Sequence, residues 1–231
     1  GEKCYAMRRA VEDVADTVCK KGFSSIFFVG AGGSLMMLDS FRYMFQQLSE
    51  IPVYSLESAE VKTSSFHQLK KGALVVLVTL NGTKETDWVA EYCKQNEIDI
   101  VAFVGTQKCP VAETATHTIY SNESVSALRY MQLYFFVFRI LYNLGCFDEY
   151  ERFGDELKNL PADLFQAAKD FQEISIKIAE QCSKEDFILW VSSGVAYSET
   201  FRFASCCVEE VFRKKTQTMN SAEFFHGCFE I

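Results

Sequence analysis

Two glycine- and hydroxyl-rich stretches and one carboxylate–imidazole pair stand where this sequence could do chemistry. The first stretch, Gly30-Ala31-Gly32-Gly33-Ser34, follows the apolar run Ile26-Phe27-Phe28-Val29 and precedes a helical pattern. Glycines let a ligand approach the backbone closely, Ser34 offers a hydroxyl, and the N–H groups of a helix start offer positive potential. The glycines at 30, 32 and 33 do not make the GxGxxG of a dinucleotide site. A tight turn that simply needs glycine accounts for the same residues. The second stretch, Thr79-Leu80-Asn81-Gly82-Thr83-Lys84-Glu85-Thr86, again joins a strand to a helix. Hydroxyls and glycine at a helix start suit a phosphate monoester. It is not a Walker A loop, and N-capping by Thr83 is the alternative. Two such loops in one sheet favour a phosphorylated small molecule.

The pair is Glu210 and His226. Glu210 ends a helical stretch rich in Phe, Ala and Cys, a setting that predicts partial desolvation and so a carboxylate basic enough for general-base work. His226 lies between Phe224-Phe225 and Gly227, and imidazole exchanges protons near neutral pH. A hydrogen-bonded structural histidine fits that position too. His67 and His117 have no such context and read as surface or core residues. Three scattered histidines offer no zinc-ligand spacing, so no metal site is expected, and acid–base work by this pair needs no organic cofactor.

The elements that must position these groups alternate. A helical period over Tyr5–Val18 ends at Gly22, and strands are predicted at 26–29, 53–56, 74–80, 98–104 and 118–120. Helices are predicted at 35–48, 85–95 and 125–144. Repeated β-α units of this length predict an α/β fold with a doubly wound, mostly parallel sheet. The polar stretch 148–161 reads as a link, followed by a helix over 162–181, a buried strand at 187–191, Ser192-Ser193-Gly194, and a helix from 196 to about 213. Only a loop and a short segment are expected after that, so the second half reads as incomplete, with domains at 1–160 and 161–231.

Composition narrows the function classes. The 231 residues are 48% hydrophobic and 23% charged, enough apolar material for a core. With 23 Lys+Arg against 31 Asp+Glu the net charge is −8, and Arg213-Lys214-Lys215 is too small a basic footprint for a nucleic-acid partner. No 18-residue apolar run or signal core occurs, so no membrane partner is expected. Nine cysteines, an odd number without a CxxC pair, read as reduced thiols of a cytoplasmic protein.

The motifs resemble the sugar isomerase (SIS) family of phosphosugar-binding proteins. The resemblance rests on Gly30–Ser34, on the Thr79–Thr86 loop and most specifically on Ser221-Ala222-Glu223-Phe224-Phe225-His226-Gly227-Cys228-Phe229-Glu230-Ile231. That last segment is similar to one in fructoselysine-6-phosphate and fructosamine deglycases, and to the isomerase domain of glucosamine-6-phosphate synthase. The resemblance implies an SIS fold whose second half is incomplete, with Glu210 as base and His226, sixteen residues on, as acid or ring-opening group. It implies substrate contacts from Gly32, Gly33, Ser34, Thr79, Asn81, Gly82, Thr83 and Glu223. The family loop reads SxSGxT or SxxGxTxET. The serines are replaced here, and only Thr83 fits both frames. The synthase's lysine three positions before its glutamate is Cys207 in this chain, which disfavours amide-nitrogen transfer. The implied activity is cleavage of a 6-phosphorylated fructosamine to glucose 6-phosphate and an amine, in a homodimer whose site lies at the subunit interface. An aldose–ketose isomerase and a non-catalytic phosphosugar sensor are the alternatives.

Overall fold

Continuous apolar runs make strands that must be covered on both faces, and the computed structural model, which describes residues 2–121 and 126–230, covers them. Strands β1 (Ser25–Gly30) and β3 (Ala73–Thr79) are buried at every residue, and β4 (Asp99–Val104) at all but its first. With β2 (Val53–Glu57) and β5 (His117–Tyr120) they form one parallel sheet of order β2-β1-β3-β4-β5. Chain order runs outward from β1 to β2 and then reverses through β3 to β5. The carboxyl ends of β1 and β3 therefore flank the topological switch point, where open α/β sheets bind ligands.

Alternate strand residues feed two cores. Phe28, Val76, Val101 and Phe103 pack against α2 (Arg8–Lys21), α3 (Gly33–Leu48) and the helix α7 (Ser126–Asn143). Phe27, Val75, Leu77, Ile100 and Ala102 face the opposite side with Val61, Val89, Cys93 and Val111. Those side chains come from α4 (Ser58–Thr63), α5 (Lys84–Gln95) and α6 (Pro110–Thr114). Helices α4 and α6 are additions to the predicted set, too short to show a period. The predicted first helix is broken at Ala6-Met7 into α1 (Glu2–Tyr5) and α2. Helix α7 begins at Ser126; Val125, the start predicted from the apolar pattern, lies outside the described residues, as do Gly1 and Ile231.

The stretch that reads as a polar link contains α8 (Tyr150–Glu156), and Tyr150 is fully buried. Its hydroxyl donates to Glu12 Oε1 at 2.8 Å, and the same oxygen accepts from Arg8 Nε at 2.6 Å. Arg139 of α7 adds a two-pronged contact to Asp16, at 2.7 and 3.0 Å. Charges that look like a solvated loop in the sequence thus tie α8 to α2 and α7.

The second half departs from expectation in three ways. The predicted helix over 162–181 is two helices, α9 (Leu160–Asp170) and α10 (Gln172–Cys182), neither with a buried residue. The segment after Arg213 is not only a loop: Lys215–Asn220 forms β7, parallel to β6 (Phe187–Ser192). Finally, β6 is not a buried strand. Phe187 is 51% and Val191 39% exposed, because β7 is its only neighbour in a two-stranded sheet. From Gly194 the chain runs through α11 (Val195–Phe203), a wider π-helical turn at Ala204–Glu209, β7, and α12 (Ser221–Phe225). Among the described residues no disulfide forms, and no helix is long and apolar enough to cross a membrane.

Candidate functional site

Strand β1 delivers its last residue, Gly30, against the first turn of α3; a Cβ there would lie 2.9 Å from the Leu35 nitrogen. Gly32 then takes φ +53° and caps α3, a conformation that favours glycine. Ser34 is half-buried in the first turn. Parallel pairing sets Glu57, the last residue of β2, beside Gly30. Burial first, then Glu60 and Glu85, push the Glu57 carboxyl above its ordinary value, while the Gly32 N–H pulls it back. A carboxylate therefore already leans on the α3 N-terminus, which leaves the neighbouring loop as the freer anion cradle.

In that loop Thr79 is buried, and its Oγ1 accepts the Gly82 N–H at 3.1 Å, folding the loop over the end of β3. Gly82 has φ +79° and stands against Cys109. Thr83 is the N-cap of α5 in a reciprocal box with Thr86: Thr83 N–H donates to Thr86 Oγ1 at 2.8 Å, and Thr86 N–H donates to Thr83 Oγ1 at 3.4 Å. The cap fixes Thr83 at the start of α5. Asn81 and Thr83 are exposed at the mouth. Thr79 braces the loop from beneath.

Helix α11 lies antiparallel to α3. Ser198 Oγ donates to Asp39 Oδ2 at 2.7 Å, Ser40 Oγ to the Val195 carbonyl at 3.3 Å, and Gly194 faces the Tyr43 ring. Burial pushes the Asp39 carboxyl up, but hydrogen bonds from Arg42 and Ser198 outweigh it and hold the group below its usual range. The antiparallel course carries the far end of α11 to Gly33. A Cβ on Gly33 would lie 2.9 Å from Cys206 Sγ and 3.5 Å from Arg202 Cγ. Burial and the charge of Glu210 push the Cys206 thiol up, against opposing pulls from Arg202 and the Gly33 N–H. Glu210 follows on the same helical stretch, its N–H bonded to the Ser205 carbonyl at 3.1 Å. Arg202, held by Glu199 at 3.1 Å and lying over the Tyr130 ring, completes this wall.

Glu210 itself is exposed, contrary to the desolvation expected from its apolar neighbours; Val211 and Phe212 beside it are 66% and 70% exposed as well. A two-stranded sheet has too few neighbours to cover that helix end. Glu223 and His226 are also exposed, in and just after α12, where the Asn220 side chain caps the helix by accepting the Ala222 N–H. Strand β7 lies between the two expected proton carriers. Its six residues extend about 20 Å at ~3.3 Å each, with Glu210 before its amino end and His226 beyond its carboxyl end. Within one protomer β7 therefore separates Glu210 from His226.

Arg202, Cys206 and Glu57 are additions to the expected set. Glu57 has a readable signal, an acid closing the strand paired with the glycine strand; Arg202 and Cys206 have none, because only helix packing brings them there. A groove of about 570 Å³ elsewhere, lined by Lys62, His67, Lys70, Trp88 and Tyr92, contains none of the expected residues. Among the described residues no cluster of His, Cys, Asp and Glu could hold a metal ion.

The order β2-β1-β3-β4-β5 is that of flavodoxin-like doubly wound folds, whose ligands sit at the switch point. Residues 21–143 match the SIS domain, and the chain belongs to that family. It is similar to the fructosamine deglycase FrlB of Bacillus subtilis, 26% identical over 97% of this chain and 70% of the relative. It is also similar to the fructoselysine 6-phosphate deglycase of Escherichia coli O157:H7, at 21% over 96% and 66%. The agropine synthesis conjugase of Rhizobium rhizogenes matches at 24% over 96% and 66%. The chain thus spans about two thirds of the length of these relatives. Among solved structures, the C-terminal domain of glucosamine-fructose-6-phosphate aminotransferase from Francisella tularensis superposes with a TM-score of 0.77 at 15% identity, over 97% of this chain and 70% of that one. Glucosamine-6-phosphate deaminase from Thermotoga maritima superposes at 0.71 and 15%, over 100% and 72%. The fold is the SIS fold, and two of these relatives are named as deglycases.

Proposed function

We propose that this chain carries the sugar-phosphate site of a deglycase that cleaves a 6-phosphorylated fructosamine to glucose 6-phosphate and a free amine. The observation that supports it most is the packing of Cys206, four residues before Glu210, on Gly33 of the switch-point turn. The phosphate binds over Asn81, Gly82 and Thr83 at the start of α5, and Gly32, Gly33 and Ser34 line the sugar.

The substrate's C2 carbonyl acidifies the C1 hydrogens. Glu210 removes one of them, giving an enaminol, and returns a proton to C2. The product is an imine at C1, which water hydrolyses to the aldehyde of glucose 6-phosphate and the amine. His226 opens the sugar ring and protonates the departing nitrogen. The opposite placement of Glu210 and His226 along β7 favours a homodimer in which each site takes its histidine from the partner subunit, and Glu223 accompanies that histidine. No metal or organic cofactor takes part in these steps.

Release of glucose 6-phosphate and amine from a panel of 6-phosphofructosamines is the direct test. Glu210→Gln lowers kcat by about 10²–10⁴-fold with KM little changed; retained turnover rejects the base assignment. Mixing Glu210→Gln with His226→Ala restores part of the activity if sites are shared between subunits, and none if they are not. Aldose–ketose interconversion without amine release would mark an isomerase instead.

A further inference from the structure

Gly33 has no side chain for a reason unrelated to backbone conformation, since it is not among the glycines with positive φ. A side chain there would meet the Cys206 sulfur, 2.9 Å from where a Cβ would stand, and one of the two would have to shift. On the other side of this contact the helix leaves α register. From Ala204 to Glu209 it is π-helical, with Glu210 N–H bonded to the Ser205 carbonyl at 3.1 Å and Phe212 N–H to the Cys207 carbonyl at 3.3 Å.

That wider turn has a geometric consequence. At 3.6 residues per turn, each four-residue step along an α-helix drifts by about 40°, so Glu210 would point about 80° away from Arg202. A π turn spends an extra residue per turn and rotates the residues beyond it backward. Arg202, Cys206 and Glu210 then return to one face, the face that meets Gly33. The influence of Glu210 and of the Gly33 N–H on the Cys206 thiol agrees with that alignment.

We infer that the π turn, seated on Gly33 through Cys206, aims the Glu210 carboxylate at the sugar cradle, which makes Gly33 and Cys206 positioning residues. The inference rests on the assignment of Glu210 as the base. A side chain at 33 lifts the turn and misdirects the carboxylate, and removing the Cys206 sulfur makes room again.

The test is a double-mutant cycle on the homogeneous protein. Gly33→Ala lowers kcat by about 10²-fold, the cost of an ångström-scale misplacement, and leaves KM within about threefold. In Gly33→Ala/Cys206→Ala, kcat returns to that of Cys206→Ala alone. Amide hydrogen exchange at Glu210 speeds up in Gly33→Ala and recovers in the double variant. Wild-type kcat in Gly33→Ala overturns the inference, as does a loss that Cys206→Ala fails to relieve, which would mean that the added methyl blocks the substrate itself. If the wild-type chain releases no amine from any 6-phosphofructosamine, the deglycase reading fails. The exchange measurement still decides whether Gly33 seats the turn.

Discussion

The two sheets start their helices in the same way and end up in different surroundings. Gly32 after β1 has φ 53°, ψ −127°, and Gly194 after β6 has φ 59°, ψ −141°. Helices α3 and α11, launched by these turns, lie side by side in opposite directions. Yet β1 is buried throughout, whereas β6 has a single neighbouring strand and keeps Phe187 half-exposed. A turn conformation is local, and a glycine between a strand and a helix is enough to produce it. Burial depends on how many strands and helices gather around, which no local signal reports. The same contrast runs through the proposed site: the complete sheet carries the glycine turn and the Thr83 loop, and the open one carries the helix end that holds Glu210.

The largest effect expected from this contrast is in the cores. Phe103→Ala, in a fully buried side chain of the first sheet, costs about 3–5 kcal/mol. Phe187→Ala costs under ~1 kcal/mol. Urea denaturation of both variants checks the difference; equal losses would mean that the open face of β6 is covered in solution.

A smaller effect comes from the polar ties of the first half. Hydrogen bonds and charge from Arg139 hold the Asp16 carboxyl below its ordinary value, with Asn143 assisting. A depressed carboxylate stabilises the fold above its unfolded pKa and stops doing so as pH falls through the folded one. Asp16→Asn therefore destabilises by about 1 kcal/mol at pH 7, discounted for solvent screening, and the gap closes in acid. Thermal melts at neutral pH and in acid read it; a gap that stays constant would remove Asp16 from the account.

Glu57 shows the smallest effect, with the opposite sign. Its raised pKa means that the folded state holds the proton more tightly, so its stability contribution is present below the unfolded pKa and is lost as pH rises through the folded value. Glu57→Gln raises Tm slightly at neutral pH and leaves it unchanged in acid. A lower Tm at neutral pH would show that the hydrogen bond from Gly32 outweighs the burial and the two neighbouring carboxylates.

Much of this protein can be read along the chain. Strong hydrophobic runs announce β1, β3 and β4, because strands buried on both faces leave no polar residues to break the pattern. The glycines and threonines of the two loops announce turns and caps, because φ, ψ and N-capping are decided within four or five residues. Strand β7 stays hidden because Lys215-Thr216-Gln217-Thr218-Met219-Asn220 is mostly polar and pairs only with β6. Helix α8 is masked by charges whose partners lie about 140 positions away in sequence.

What the amino acids determined by themselves were the strands of the first sheet, the glycine turns, the Thr83 cap and the family. Only the tertiary structure decided that Cys206 would rest on Gly33 and that the helix would widen into a π turn before Glu210. It also decided that β7 would hold Glu210 and His226 apart. The reason is one of range. Torsional preferences and caps act between neighbours, whereas the contacts that assemble this site join residues more than 150 positions apart, and they exist only after two helices have packed.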